Sequence, residues 1–576
     1  MTRLMKYCTP YVAHVLLAIA LLFGQAYCDL SLPDYMSDII NNGIASGNTG
    51  VILNAGGKML IIALISAACS VLVSLIAARV AAGVCQTLRL DLFEKIETFS
   101  NAEFDKFSTS SLITRTTNDI TQVQTLIVMV IRMVFYAPIL GTGGVIHALS
   151  KSRSMSWIIA LTVFCLLLLV LFMFVVALPK FRMVQNLIDR LNLIVRENLE
   201  GMLVIRAFST QNFEERRFDR ANMDLTETNL FINRIMSFMM PTMMLILNLT
   251  TVLVVWVGSL QVSALHLQVG DMLAFMQYVM QIIFAFLMMA MMFIMIPRAS
   301  VSAERIADVL ETNPSIVNPE NPKTPEPCRG LVRFEHVSFR YPAAEEDVLH
   351  DIDFTAAPGQ TTAFIGSTGS GKSTVVNLLP RFYDPMGGRV TLDGVDIREF
   401  DLHLLRKQIG YVPQKGMLFS GTIQSNLAYA DPETATPEEI SEAAQIAQAM
   451  EFIETKPDRF ETEIAQGGSN VSGGQKQRLS IARALVKKPQ IYIFDDSFSA
   501  LDFKTDAKLR AALHEKTGWA TTLIVAQRIS SIMYADQIIV LDNGRIAGKG
   551  THRELMENCE VYREIALSQL SKEELA

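Results

Sequence analysis

The segment Gly366-Ser-Thr-Gly-Ser-Gly371-Lys372-Ser373 decides how the second half of this 576-residue chain folds. It follows the apolar run 361–365 and precedes a helical segment, the context expected of a phosphate-binding loop between a strand and a helix. Glycines let backbone N–H groups wrap around phosphates, and the amino terminus of a helix favours an anion. Lys372 is expected to reach the outer phosphates of a nucleotide, and Ser373 to offer a hydroxyl to Mg²⁺.

Alternating β-rich and helical segments surround this loop. β-rich runs at 361–365, 490–494, 522–526 and 537–541 alternate with helical segments at 472–486 and 505–514, the pattern of a core sheet with helices packed on it. The run 490–494 ends in Asp495 and Asp496. Asp495 is therefore expected at the sheet edge, where a carboxylate can hold the shell of a Mg²⁺ ion.

The first half has a different composition. Half of all residues are hydrophobic, and apolar runs of membrane-crossing length, roughly 20 residues, occupy 11–36, 59–84, 126–149, 155–178, 235–260 and 272–296. The predicted fold class is an all-α six-span membrane domain with long cytoplasmic helix extensions, followed by an α/β P-loop nucleotide-binding domain. The predicted boundaries are 1–300 for the membrane domain, 301–329 for a linker and 330–576 for the nucleotide-binding domain.

Basic residues in the connections predict the orientation of the spans, because cationic loops tend to stay in the cytoplasm. Cations accumulate between spans two and three and between spans four and five, so both connections are predicted to be cytoplasmic. The loop 29–57 has three carboxylates and no cation, as expected of an outward segment. Lys151 and Arg153 disagree with this arrangement, since they lie on the predicted outer side. The amino-terminal run is too long for a cleaved signal peptide and is predicted to be a retained anchor.

Charge and cysteine content exclude several classes of protein. A formal charge of -7 and the absence of a dense basic face argue against a nucleic acid partner. The seven cysteines are scattered without a Cys-x-x-Cys pair, which argues against a disulfide framework or a zinc site. Free thiols in a reducing compartment are predicted instead.

A segment between the phosphate-binding loop and the run 490–494 carries a family resemblance. Val471-Ser-Gly-Gly-Gln475 resembles the Leu-Ser-Gly-Gly-Gln signature of ABC transporters, apart from Val471 in the first place. The resemblance covers nearly the whole chain and implies that 330–576 is an ATP-binding cassette domain. It implies that ATP held by the opposite subunit is bound by Ser472, Gly473, Gly474 and Gln475. It also implies that the chain's own ATP is bound by Gly366, Ser367, Thr368, Gly369, Ser370, Gly371, Lys372, Ser373 and Thr374.

The same resemblance implies roles for residues outside these motifs. Tyr341 is similar to the aromatic residue that stacks on adenine, and Gln414 to the glutamine that touches magnesium and senses the membrane domain. The implied magnesium ligands are then Ser373, Gln414 and Asp495. The stretches near 104–119 and 207–218 look like two coupling helices that transmit motion. The alternative is that both are simply solvated charged helices.

Two residues depart from the family pattern. The family has Glu after the Asp of the strand, as general base, and His in the switch position, whereas this chain has Asp496 and Gln527. Asp is shorter by one methylene, about 1.5 Å, and base catalysis depends on hydrogen-bond reach. Together with Gln414 these residues form the predicted catalytic set, and slow hydrolysis is expected. Since Ser472, Gly473 and Gly474 of the signature are intact, a heterodimer with a different half-transporter is predicted; the alternative is a homodimer.

The last apolar run is rich in methionine, which is relevant to the substrate that the protein would transport. It contains Met272, Met276, Met280, Met288, Met289, Met291, Met292 and Met295. Methionine suits surfaces that accept varied apolar ligands, although helix packing or lipid contact explains the residues equally well. The predicted function is ATP-driven export of amphipathic small molecules, drugs, lipids or peptides across a bacterial plasma membrane, with membrane lipid as a partner. The alternatives are an importer of the same fold and an ATP-gated or regulatory subunit.

Overall fold

A computed structural model describes the backbone of residues 2–323, 327–342 and 344–570. Side chains are described in these ranges except at positions 2, 3, 5, 170, 173, 174, 177, 178, 181, 182, 185, 290, 291, 293, 294, 295, 297 and 298. Residues 324–326 of the predicted linker and the side chains of Met291 and Met295 thus lie outside the described residues. The chain divides into two compact units, one formed by residues up to 97 with 109–312, the other by 98–108 with 313 onward.

Helices account for most of the chain up to Glu311. They are α1 (Val12–Asp38), α2 (Thr49–Glu97), α3 (Asn101–Phe107), α4 (Thr109–Thr114), α5 (Ile120–Met129), α6 (Tyr136–Lys151), α7 (Ser156–Glu200), α8 (Met202–Ala207), α9 (Gln211–Ser263) and α10 (Val269–Glu311). Helix α3 belongs to the second unit and the others to the first. At about 1.5 Å per residue, the 49-residue α2 and the 53-residue α9 are more than twice as long as the roughly 30 Å apolar core of a bilayer. Both therefore continue well beyond the membrane.

Five helical stretches of the described chain are long and apolar enough to cross a membrane. They are Lys6–Ile44, Thr49–Glu97, Thr109–Lys151, Gln211–Ser263 and Val269–Met289, and they overlap five of the six predicted runs. The remaining run, 155–178, falls in α7, where the apolar stretch Arg153–Leu169 is shorter than a span. Several α7 side chains after residue 169 lie outside the described residues. A helical membrane domain is thus confirmed, whereas the count of six spans is not.

The segment 29–57, predicted as a loop, is helical over most of its length. Helix α1 runs to Asp38, a π-helical turn continues to Ile44, and α2 begins at Thr49. Asp29 stays in the helix because its carboxylate accepts hydrogen bonds from Ser66 at 2.6 Å and from Tyr136 at 2.5 Å. A carboxylate with such donors loses less on leaving water than an unpaired one.

Lys151, a cation where the charge pattern predicted none, lies between two carboxylates. Its ammonium is 3.0 Å from Asp34 Oδ1 and 3.1 Å from Asp271 Oδ1. Asp271 also accepts a 2.7 Å hydrogen bond from the hydroxyl of Ser37. Because these residues belong to α1, α6 and α10, the network ties three helices together at one end of the first unit.

The last helix of the first unit extends past the predicted domain boundary. Helix α10 continues to Glu311, so the predicted linker 301–329 is helical at its start. The physical reason is an apolar face on this segment, with Ala303, Ile306 and Val309 at 1%, 0% and 0% exposure. Side chains at this spacing lie on one side of a helix and keep it packed.

The second unit is an α/β domain. Its strands are β1 (Val332–Phe339), β2 (Leu349–Ala356), β3 (Thr361–Gly366), β4 (Gly387–Leu392), β5 (Val395–Asp396), β6 (Ile409–Val412), β7 (Gly421–Thr422), β8 (Glu463–Ile464), β9 (Ile491–Asp495), β10 (Thr521–Val525), β11 (Gln537–Asp542) and β12 (Arg545–Gly550). Its later helices are α11 (Lys372–Leu378), α12 (Leu402–Lys407), α13 (Ile423–Ala428), α14 (Pro437–Ile446), α15 (Met450–Ile453), α16 (Gly473–Val486), α17 (Phe503–Thr517), α18 (His552–Asn558) and α19 (Glu560–Gln569).

The main sheet has the strand order β12-β11-β3-β10-β9-β6, and every neighbouring pair except β11–β12 is parallel. A second sheet, β2-β1-β4-β5, is antiparallel. Strand β9 is buried at all of its positions, because Ile491 and Ile493 pack into one hydrophobic core and Tyr492 and Phe494 into the other. A strand covered on both faces reads as a continuous apolar run, which is why the sequence predicted β3, β9, β10 and β11 to within one residue.

The short helix α3 packs within the second unit. Glu103, 6% exposed, accepts hydrogen bonds from the backbone N–H groups of Ser100 at 2.9 Å and Ser315 at 3.1 Å. The hydroxyls of Ser100 and Ser315 are 2.8 Å apart. The stretch 104–119 therefore begins in α3 and continues through α4 and a π-helical turn, whereas 207–218 comprises the turn after α8 and the start of α9.

Candidate functional site

One edge of the main sheet gathers the polar residues that the sequence singled out. The neighbouring strands β3, β10, β9 and β6 are parallel, so their carboxyl ends meet at the same edge. The phosphate-binding loop follows β3, Asp495 ends β9, Gln414 follows β6 and Gln527 follows β10. Ligands of open α/β sheets bind outside the carboxyl ends of strands, so this edge is the candidate site.

Glycine is required at two corners of the phosphate-binding loop. Gly366 has φ +155, and a Cβ there would collide with the carbonyl oxygen of Leu541. Gly371, which caps α11, has φ +96, and its Cβ would lie 2.5 Å from Leu349 Cδ2. Left-handed backbone of this kind costs a residue with a side chain about 1–2 kcal/mol. The loop geometry thus depends on both glycines before any ligand is considered.

Lys372 is held against this loop. Its ammonium donates to the carbonyl oxygens of Gly366 at 2.9 Å and Ser367 at 2.7 Å. Burial lowers the pKa of Lys372, while Asp496 and Asp495 act to raise that pKa. The cation is therefore partly desolvated, a condition that strengthens its attraction for a phosphate.

Ser373 and Asp495 meet across the sheet edge. The Ser373 hydroxyl donates a 2.8 Å hydrogen bond to Asp495 Oδ1, and Asp495 is 4% exposed. Burial raises the pKa of Asp495; the Ser373 hydrogen bond opposes the rise and the charge of Asp496 adds to it. A hydroxyl and a carboxylate in contact at the mouth of the loop form an oxygen pair suited to Mg²⁺.

Asp496 contacts two side chains that follow other strands of the sheet, Gln414 after β6 and Gln527 after β10. Its Oδ2 accepts hydrogen bonds from the side-chain amides of Gln527 at 2.7 Å and Gln414 at 3.2 Å. Burial raises the pKa of Asp496, and the donors Gln414 and Gln527 oppose that rise. The backbone of Asp496 has φ +46, a strained conformation for a non-glycine residue. It is held there by a 3.0 Å bond from its N–H to the carbonyl of Val525.

Tyr341 lies beside the same loop. Its hydroxyl is 3.1 Å from Thr374 Oγ1 on α11, and its ring meets the edge of Tyr383 with centroids 5.2 Å apart. These two contacts fix the ring next to the start of α11. Tyr383 was not singled out by the sequence, because no motif marks it.

The predicted signature opens helix α16. Ser472 caps that helix, with its hydroxyl accepting from the N–H of Gln475 at 3.3 Å, while Gln475 Oε1 accepts from the N–H of Ser472 at 3.0 Å. A Cβ at Gly473 would meet nothing within 4 Å. The helix amino terminus is thus exposed and offers backbone donors to an external phosphate.

The residues at the sheet edge fit ATP with Mg²⁺. The strained glycine loop and the Lys372 ammonium fit a chain of phosphates, and Ser373 and Asp495 supply hard oxygen donors. Gln414 uses its side-chain nitrogen toward Asp496, which leaves its amide oxygen for a cation. Oxygen donors of this type are those that Mg²⁺ prefers.

Two family models match the chain, one described as ABC transporter over residues 349–499 and one as ABC transporter transmembrane region over residues 15–298. The chain belongs to the ABC transporter family. An uncharacterized ABC transporter ATP-binding protein of Mycobacterium tuberculosis is 41% identical to it, over 98% of this chain and 97% of the relative. An ATP-dependent lipid A-core flippase of Aromatoleum aromaticum is 33% identical, over 96% of this chain and 93% of the relative.

The structure of a bacterial Atm1-family ABC exporter with ATP bound is similar to this ABC transporter chain, with a TM-score of 0.76 and 24% identity over 98% of each chain. This ABC transporter therefore has the fold of that exporter family. It fuses a transmembrane domain to an ATP-binding domain and is embedded in the membrane. The cassette implies ATP binding and ATPase activity. Half-transporters of this family normally dimerise, and the bacterial relatives are consistent with a bacterial plasma membrane.

Proposed function

We propose that this ABC transporter chain is a six-span half of an ATP-driven exporter and binds ATP with Mg²⁺ at the edge of its main sheet. The observation that carries this proposal is the 2.8 Å contact between Ser373 and Asp495, made beside the Lys372 ammonium and the glycine loop. These groups come from two separate sequence segments, 366–373 and the end of β9, and lie together at one place. The nucleotide domain is cytoplasmic in this proposal.

Each residue at the site has a separate role in the proposal. The loop from Gly366 to Thr374 wraps the phosphates, Lys372 neutralises the outer ones and Tyr341 stacks on adenine. Ser373, Asp495 and Gln414 hold Mg²⁺, which when bound neutralises phosphate charge. Asp496 orients and deprotonates the attacking water, and Gln527 donates a hydrogen bond to the outer phosphate.

Hydrolysis at this site is slow for three physical reasons. The carboxylate of Asp496 is one methylene, about 1.5 Å, short of the family's Glu, and hydrogen-bond reach limits a general base. Its Oδ2 also accepts from Gln527 at 2.7 Å and from Gln414 at 3.2 Å, which occupies lone pairs that would otherwise hold the attacking water. Gln527 itself cannot carry the positive charge of a protonated histidine. ATP therefore remains bound at this site and is hydrolysed only slowly.

The partner in this proposal is a different half-transporter. The exposed amino terminus of α16, with Ser472, Gly473, Gly474 and Gln475, completes the ATP site of that partner, which carries Glu and His at the positions of Asp496 and Gln527. The heterodimer then has one site that hydrolyses ATP and one that stabilises the closed state. A homodimer is the competing arrangement.

The proposed cargo is amphipathic and includes lipids. The flippase of Aromatoleum aromaticum, named for lipid A-core, is similar over 96% of this chain. In α10, Met272 and Met276 pack against the core of the first unit, while Met280 is 40% exposed. Met280 thus presents an exposed thioether side chain, a group that accepts varied apolar contacts.

The ATP site is tested with the purified full-length chain. Labelled ATP is expected to bind the wild type, and Lys372→Ala is expected to weaken binding by at least about tenfold, the scale of one lost charge-assisted hydrogen bond. Equal binding by both would overturn the proposal. For the dimer, brisk ATPase activity of the chain alone, abolished in Asp496→Asn, would establish the homodimer instead.

Direction is tested in vesicles that contain the chain with its partner. Uptake of a fluorescent phospholipid or drug into inverted vesicles, dependent on ATP, is the result expected of an exporter. Uptake only into right-side-out vesicles would indicate an importer. ATP-dependent current without accumulation against a gradient would indicate an ATP-gated channel.

A further inference from the structure

The final residue of α19 holds the backbone on both sides of Arg528. Gln569 donates its side-chain amide to the carbonyl of Gln527 at 2.8 Å and accepts from the N–H of Ile529 at 2.8 Å. Strand β10 ends at Val525, so the hydrogen-bond ladder of the sheet does not extend to this segment. The two hydrogen bonds with Gln569 therefore hold the backbone just after the hydrogen bonds of the sheet end.

The segment held in this way carries the side chain that reaches the catalytic carboxylate. Gln527 donates to Asp496 Oδ2 at 2.7 Å. A shift of about 1 Å in its backbone would lengthen that bond beyond hydrogen-bonding range. The direction of the Gln527 side chain thus depends on where Gln569 fixes the main chain.

Helix α19 is a firm support for such a contact. Tyr562 and Ala566 on its inner face are both 0% exposed, and the Tyr562 hydroxyl is 2.7 Å from His552 Nδ1 on α18. Gln569 itself lies at the exposed end of the helix. Its replacement therefore leaves no cavity in the core, and the fold is expected to survive.

We infer that Gln569 is a positioning residue for the ATP site, which acts by fixing the segment 527–529 so that Gln527 faces Asp496. The inference rests on the proposed role of Gln527. A side-chain amide is the group that can donate to one backbone atom and accept from another at the same end. Glutamate keeps only the acceptor when ionised, and asparagine is too short by about 1.5 Å.

The test measures the release of labelled ATP from the full-length chain loaded with Mg²⁺ and ATP. Gln569→Ala is expected to speed release about threefold to tenfold, the scale of one or two hydrogen bonds. Gln569→Glu, which keeps the bond from Ile529, is expected to give a smaller increase. Ser568→Ala is the matched control, because the Ser568 hydroxyl bonds the carbonyl of Ile565 in its own helix and release should stay at the wild-type rate.

A double-mutant cycle separates positioning from general destabilisation. If Gln569 acts through Gln527, Gln569→Ala speeds release no further in a Gln527→Ala background. An unchanged rate in Gln569→Ala, or an effect of the same size in both backgrounds, would overturn the inference. Loss of ATP binding in Lys372→Ala with a normal Gln569→Ala would leave the proposed function intact, whereas a wild type that binds no ATP would overturn the proposed function itself.

Discussion

The side-chain amide of Gln527 donates a 2.7 Å hydrogen bond to Oδ2 of Asp496. At these two residues, the proposed general base and the switch position, the chain departs from the ABC transporter pattern, and they lie 31 positions apart in the sequence. Their contact means that neither departure acts alone, because the Gln527 amide occupies one oxygen of the carboxylate that is the proposed general base. The hydrolytic behaviour of this site is therefore a property of the pair.

Restoring both residues is expected to restore hydrolysis. The variant Asp496→Glu with Gln527→His should raise ATP turnover by roughly tenfold or more, within the range of general-base contributions. Either single variant should give less, because the other departure still limits the site. Steady-state phosphate release from the purified chain, with its partner where available, measures the effect.

The control is the triple variant that carries Lys372→Ala in addition to Asp496→Glu and Gln527→His. Turnover that survives this addition comes from a contaminant or from another site. Equal turnover of the wild type and the restored variant would contradict the degenerate-site account.

Tyr341 is expected to contribute through its ring and not its hydroxyl. Tyr341→Phe keeps the ring and the edge contact with Tyr383, and loses only the 3.1 Å contact with Thr374. ATP affinity should then stay within about twofold of the wild type, whereas Tyr341→Ala should weaken binding by about fivefold or more. Titration with a fluorescent ATP analogue distinguishes the two, and a larger loss in the phenylalanine variant would contradict the stacking role.

Removing the charge of Asp495 is expected to stabilise the nucleotide-free protein at neutral pH. Burial raises the pKa of Asp495, so its ionised form is less favourable in the folded state than in the unfolded state. Protonation of Asp495 stabilises the fold fully when the pH is below the pKa of this group in the unfolded protein. That stabilisation is lost as the pH rises through its pKa in the folded protein. Asp495→Asn should therefore raise Tm at pH 7 by about 2–4 °C and weaken Mg²⁺-dependent ATP binding.

The matched control is Asp506→Asn, a buried carboxylate with the opposite expectation. Asp506 is 4% exposed and accepts two hydrogen bonds from Arg510, at 3.1 and 3.0 Å. Its neutralisation should lower Tm, since Arg510 loses its ionic partner. A fall in Tm for Asp495→Asn in a magnesium-free buffer would refute the expectation for that residue.

Lys151 is expected to stabilise the membrane domain. Lys151→Met leaves Asp34 and Asp271 facing each other without the ammonium that now lies 3.0 and 3.1 Å from them. These side chains are about a third exposed or less, so the loss is smaller than for a fully buried pair, about 1–2 kcal/mol. Thermal unfolding in detergent measures it. Arg153→Met, at an exposed residue without an ion pair in the described chain, should leave Tm unchanged.

The sequence predicted those parts of the site that local signals determine. The phosphate-binding loop needs glycines in fixed order, and buried parallel strands read as apolar runs, so β3, β9 and the loop between Gly366 and Lys372 were found directly. The carboxyl edge then followed from the strand pattern. Asp495, which follows the run 490–494, was predicted to lie at that edge.

The remaining contacts could not be predicted because they join distant segments without a pattern. Gln569 reaches Gln527 across 42 positions, and Tyr136 reaches Asp29 across 107. The charge pattern predicted an outer loop at 29–57, because a count of carboxylates takes no account of the hydroxyl groups that donate hydrogen bonds to them. Helix α1 continues through Asp29 because the hydroxyl groups of Ser66 and Tyr136 hydrogen-bond its carboxylate.

The grouping of α3 with the second unit has a practical consequence for anyone who dissects this protein. A soluble fragment that starts at Asn313 would leave the N–H of Ser315 without Glu103 and uncover the surface on which the 98–108 peptide rests. Such a truncated cassette should be less soluble than its own composition indicates. Supplying that peptide in trans should recover its thermal stability.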